Sequence, residues 1–156
     1  MNKDVHFQVD NDVFNYRVAA IIKKDDKYLL ELSSLFGYYT LIGGRCNILE
    51  SSSAAIIREV KEETGIDTKI VKEIGILENF FSSNYNHKNY HEILFIYELE
   101  FVNEEDYLKD IKNIEGKDER LEWVSKEDLS KINFNPHIIL DNLNNNNFYH
   151  IINRDK

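Results

Sequence analysis

The stretch Gly43–Ile66 reads GGRCNILESSSAAIIREVKEETGI, and it holds three carboxylates, Glu59, Glu62 and Glu63, beside Arg58. Its middle reads as a helix over Glu50–Thr64, with Ser51 to Ser53 offering N-caps and Gly65 at the C′ position. A helix turns about 100° per residue, so from Glu59 at zero, Glu63 lies near about 40° and Glu62 near about 300°. Ile56, Val60 and Ile57 fall near about 60°, about 100° and about 160° on the same wheel. One side of the helix can therefore be buried while the adjoining side shows its acids. Like charges one turn apart repel by roughly a few tenths of a kcal/mol per pair, so the cluster needs a reason.

A hard cation supplies one. Mg²⁺ and Mn²⁺ take oxygen ligands, and Mg²⁺ is usually held by a few carboxylates, substrate phosphates and water. For an isolated ExxEE string, a solvated helix face is the commoner explanation. The flanking residues shift that balance. Gly44 is followed by five residues, Glu50, seven residues, then Arg58, Glu59, Val60, one residue, Glu62, Glu63, one residue, Gly65 and Ile66.

This pattern, G-x5-E-x7-R-E-V-x-E-E-x-G-I, matches the signature of the Nudix hydrolases at every defined position and resembles that family over about residues 14–132. The resemblance implies an α/β fold: a Nudix-type α/β/α sandwich with a mixed β-sheet and a loop-helix-loop motif. It implies metal-dependent hydrolysis of the diphosphate linkage in a nucleoside diphosphate joined to another moiety X, with Mg²⁺ or Mn²⁺ as cofactor. A (d)NTP and an ADP-sugar are both suitable partners for a chain of this size, and dinucleoside polyphosphates and capped RNA stay open. The alternative is a non-catalytic Nudix-fold module that binds or senses a nucleotide; loss of the helix glutamates would favour it, and all are present.

Carried over by position, Glu59, Glu62 and Glu63 resemble the family's metal ligands, with the carbonyl of Gly44 often joining them. Arg58 resembles the arginine that orients the helix carboxylates, and Glu50 the glutamate that braces the loop. The catalytic set so implied is Arg58, Glu59, Glu62, Glu50 and a general base. The base is one of the helix glutamates or a glutamate of a later loop, where Glu115, Glu119 and Glu122 are candidates and Glu119 is favoured. Arg45, Tyr85 and His91 are candidate substrate contacts. Aromatic rings stack on bases, and Tyr85 lies in a polar loop; for His91 a structural role competes. Two positions depart from the family's habit: Ile42 stands where proline often precedes the paired glycines, and Leu49 where glycine often precedes the first glutamate.

Outside this segment, YRVAAIIKKDDKYLLEL (16–32) reads as two strands joined by a turn at Lys24 to Lys27. YTLIGG is a short strand that Gly43 and Gly44 are expected to break. Strands follow within Lys69–Phe81, His91–Phe101 and Arg120–Val124, with a polar loop at SSNYNHKNY. Ser125 with Asp128 resembles a helix start, and Pro136 is expected to open a terminal helix over PHIILDNL. Trp123 reads as core. The order of elements predicts a mixed sheet with helices on its faces.

The 156 residues suit one domain, 1–156, and the 42% hydrophobic content is enough to build a core. A single cysteine, Cys46, and a polar start without an apolar leader point to a reducing, cytoplasmic setting. No stretch is apolar enough to span a membrane. The net charge of −9 argues against bulk nucleic-acid binding, which needs a basic surface. A small polyanionic nucleotide is compatible with that charge if a cation offsets the repulsion. Proteins of the resembled family are often dimers, so a homodimer is open.

Overall fold

In DVFNYRVAAIIKK, every side chain from Val18 to Ile22 is buried, on both faces of the strand. A strand buried on both faces belongs in the middle of a covered sheet. This strand, β2 (Asp12–Lys24), duly pairs with neighbours on both sides. It turns into β3 (Lys27–Ser33) through Asp25 and Asp26, with Lys24 opposite Lys27. Asp25 has φ 54°, a left-handed conformation that a two-residue hairpin requires and aspartate tolerates. The structure is a computed structural model and describes residues 3–116 and 118–154.

The other strands are β1 (His6–Val9), β4 (Tyr39–Arg45), β5 (Thr68–Ser82), β6 (Asn89–Phe101), β7 (Glu119–Ser125) and β8 (Tyr149–Arg154). They lie in the order β7-β3-β4-β2-β6-β5-β8, with β1 added on β2. The β2–β6 and β5–β8 pairs are parallel, and the remaining pairs are antiparallel. Helix α1 (Ser52–Thr64) lays Ala55, Ile56 and Val60 on one face, against Val18, Ala20, Ile22, Leu29 and Ile42. The opposite face, with Ala19, Ile21, Leu30, Leu41 and Ile96, is covered by Leu129, Phe134 and Ile139. Those residues come from the 3₁₀ turn Lys126–Lys131, the segment after it, and the short helix α2 (Ile138–Asp141). This is the expected mixed sheet between two helical layers.

Several elements differ from the sequence reading. Helix α1 begins at Ser52, because Ser51 caps it by accepting from the Ala54 N–H at 3.1 Å, which leaves Glu50 in the loop. Strand β4 runs through Gly43 and Gly44 to Arg45 rather than breaking there. The glycines serve close approach: a Cβ on Gly43 would stand 2.0 Å from the Val18 carbonyl oxygen of the neighbouring strand. The helix expected from Pro136 shrinks to the four residues of α2, and Ser125 caps a 3₁₀ turn instead of an α-helix. Strands β1 and β8 were not expected. Both are edge additions with one exposed face, where periodicity is weak. Trp123 is partly buried against the α1 core, as its composition suggested. Among the described residues, no helix is long and apolar enough to cross a membrane.

Candidate active site

Arg58 is the organising cation. Its Nε and Nη2 donate to the two carboxylate oxygens of Glu50, at 2.8 and 2.9 Å, as a two-pronged pair. Nη2 also donates to the Arg45 carbonyl at 3.0 Å, and Nη1 donates to Glu59 at 3.0 Å and Glu62 at 3.1 Å. Glu50 in turn accepts from the Asn47 N–H at 3.0 Å, so one guanidinium ties the loop to the helix. Hydrogen bonding to Arg58 holds the Glu50 carboxyl below the usual carboxylate range, and the same bond raises Arg58.

The acids do not all face the same way. Glu59 and Glu63 line a cleft of about 390 Å³ together with Gly44, Arg17, Glu31, Glu115 and Glu119. Glu59 lies flat against Gly44, where a Cβ would stand 2.3 Å from its carboxylate. Glu63 is 7% exposed. Glu62 sits outside the lining, its side chain 45% exposed, held by Arg58 at the helix surface. Glu119 is on β7 with the parity of Leu121 and Trp123, which pack on the α1 face. Glu122 has the opposite parity, accepts from the Tyr39 hydroxyl at 2.7 Å and is absent from the cleft. Of the late-loop candidates, Glu115 and Glu119 are therefore the ones brought to the helix acids.

Among the substrate candidates, Arg45 lines the cleft and pairs with Asp4 at 3.4 Å. Tyr85 lies in an adjoining chamber of about 760 Å³, 72% exposed, its ring edge-on to Phe36 at 5.2 Å. Phe36 and Tyr38 line both spaces and so join them. His91 lines neither; its exposed ring stacks on Phe80 at 4.4 Å and meets Phe14 edge-on. Cys46 is fully buried, and burial pushes its thiol up to about 11, which removes it as a nucleophile.

Comparison with known proteins fits this geometry. The family model for the NUDIX domain matches residues 14–142. The chain belongs to the NUDIX family. That membership assigns the class of activity, a Nudix-type pyrophosphohydrolase. A search of curated proteins returns no match. Among solved structures, a mutator MutT protein from Bacillus halodurans aligns with 20% identity and a TM-score of 0.65, over 88% of this chain and 90% of that one. A MutT NUDIX hydrolase from Burkholderia pseudomallei aligns with 22% identity and a TM-score of 0.65, over 83% and 98%. An ADP-ribose pyrophosphatase from Streptococcus suis aligns with 17% identity and a TM-score of 0.56, over 90% and 98%. At these identities the likeness speaks for the fold.

Two residues of this Nudix cleft escaped the sequence reading. Glu31 on β3 is 7% exposed, and Arg17 on β2 faces the same acids without an ion pair among the described residues. A signal for Glu31 existed: in YLLEL it shares the parity of Leu29, which is core, so an acid stands where an apolar residue belongs.

The acids also fit a divalent cation. The donors are all oxygens, and one carboxylate oxygen of buried Glu63 has no hydrogen-bond partner among the described residues. Burial first, then repulsion from Glu59, raises Glu63 to about 8 from 4.5 in the cation-free protein. A raised carboxylate contributes stability that is complete below about 4.5 and is lost as pH rises through about 8. Glu50 acts oppositely, but only at acid pH, as its shift is downward. The expected result is that thermal unfolding of the cation-free protein shifts to lower temperature between about pH 5 and about pH 9, and that saturating Mg²⁺ suppresses the slope.

Proposed function

We propose that the protein is a Mg²⁺- or Mn²⁺-dependent hydrolase of a nucleoside diphosphate derivative, cleaving the diphosphate linkage. The observation that carries this reading is the convergence of Glu59, Glu63 and the Gly44 backbone in a cleft that opens into an aromatic-lined chamber. The cleft suits the diphosphate and the chamber suits a flat ring. Stacking of a base on an aromatic side chain contributes about 1–3 kcal/mol, and Tyr85 offers an exposed face there.

When bound, the cation neutralises phosphate charge and lowers the pKa of a bound water. The chain's residues supply the rest. Glu59 and Glu63 are the helix carboxylates that would hold it, with the Gly44 carbonyl beside them. Arg58 fixes Glu59 by a charge-assisted hydrogen bond, and Glu50 fixes Arg58. Arg17 and Arg45 bring positive charge to a cleft otherwise rich in acids, as phosphate contacts. Glu119 or Glu115 stands within the cleft to take a proton from the attacking water.

The test is a panel of (d)NTPs, ADP-sugars, UDP-sugars and dinucleoside polyphosphates incubated with Mg²⁺ or Mn²⁺, with products identified by mass. A nucleoside monophosphate and the matching phosphorylated X are the expected pair. Saturable nucleotide binding without any product would instead favour a sensing module.

A further inference from the structure

We propose that Glu31 is a cation ligand, forming with Glu63 and Glu119 a divalent-cation position distinct from the one that Glu59 holds beside Gly44. It rests on the cation reading given above, adds a residue from outside the helix signature, and leaves Glu115 rather than Glu119 as the general base in the cleft.

The three carboxylates come from β3, α1 and β7, and each offers an oxygen within 4.8 Å of the other two. At about 2.1 Å from a Mg²⁺ ion, oxygens lie about 3.0 Å apart when adjacent and about 4.2 Å apart when opposite, so a cation at the centre would draw these three together. Glu31 follows the core residues Tyr28, Leu29 and Leu30 on its strand, and it is 7% exposed. A buried carboxylate without a partner is costly, and here two buried carboxylates stand beside a third, Glu119, which is partly exposed and accepts from Asn113 Nδ2 at 3.4 Å.

Two occupants could relieve this. A proton shared by Glu31 and Glu119 satisfies one pair. It leaves Glu63, which is also 7% exposed and has an oxygen with no hydrogen-bond partner among the described residues. A divalent cation satisfies all three at once. The charges agree: three carboxylates facing one dication leave a net negative site that Arg17, on the adjoining strand, partly offsets. The remaining coordination positions face the open cleft, where water or a phosphate oxygen can fill them.

The experiment counts Mn²⁺ bound to the substrate-free protein by the loss of the free-ion paramagnetic resonance signal. Wild type, Glu31→Gln and Glu31→Asp are compared, with circular dichroism confirming the fold. Glu31→Gln is expected to lose one bound Mn²⁺ or to bind it at least about tenfold more weakly, and to unfold at a higher temperature than wild type when cation-free. Glu31→Asp keeps the charge but shortens the reach, so weaker Mn²⁺ binding with no gain in cation-free stability is expected. Unchanged number and affinity in either folded variant overturns the assignment while leaving the Glu59 site standing. A wild-type protein that binds no Mn²⁺ overturns both.

Discussion

Glu59→Gln is expected to slow diphosphate cleavage by about 10³-fold, equivalent to about 4 kcal/mol of transition-state stabilisation, while the protein folds normally. The substitution is isosteric. The amide oxygen can still accept from Arg58 Nη1, and the side chain still fills the space over Gly44. What it loses is the charge that faces the cation. Glu62→Gln makes a useful comparison, because Glu62 is held at the exposed helix surface and does not line the cleft. Its loss is expected to be nearer about tenfold, through weakened positioning of Arg58. Steady-state rates with saturating Mg²⁺ distinguish the two. Equal losses at both positions would show that Glu62 swings into the cleft on binding.

Gly44→Ala is expected to cost about 10²-fold in rate with little change in stability, whereas Gly43→Ala is expected to cost about 3 kcal/mol or more in stability. The neighbours differ in what a methyl group would meet. At Gly44 it meets the carboxylate of Glu59, the movable end of a side chain, at 2.3 Å. Glu59 shifts, the fold tolerates it, and the cation ligand is misplaced. At Gly43 the methyl meets the Val18 carbonyl oxygen at 2.0 Å, inside the β2–β4 ladder. Backbone cannot yield there without opening the sheet. Denaturant melts and kcat measured on both variants check the contrast. A Gly44→Ala protein with wild-type kcat would place Glu59 outside the reaction.

The segment that revealed this site did so because its information is local. Loop, cap, helix and C′ glycine lie within one run of chain, and the spacing of Arg58, Glu59 and Glu63 survives folding almost unaltered. Strands β2, β5 and β6 were likewise legible, since long apolar alternation has few other uses. Contacts made across the sheet were not. Glu31 meets Glu63 and Glu119 only because β3 pairs with β7 while α1 packs alongside on β4 and β2, and no short-range pattern encodes that meeting. Gly43 and Gly44 read as strand breakers because glycine usually is one. Here they permit close approach within a strand, which needs a neighbour to be recognised. His91 is another case: a histidine at a strand start invites a chemical role, and only the fold shows that its exposed ring rests on Phe14 and Phe80, away from the cleft lining.

These carboxylates are read as a device for holding cations against a diphosphate. The most direct measurement follows the cleavage of the best nucleotide substrate by mass, first with Mg²⁺, then with excess chelator, then with Mg²⁺ restored. The expected result is a nucleoside monophosphate with the matching phosphorylated X, no turnover in chelator and full recovery on addition of the metal. Cleavage that persists undiminished in chelator, or no cleavage of any diphosphate compound with Mg²⁺ or Mn²⁺ present, would contradict it.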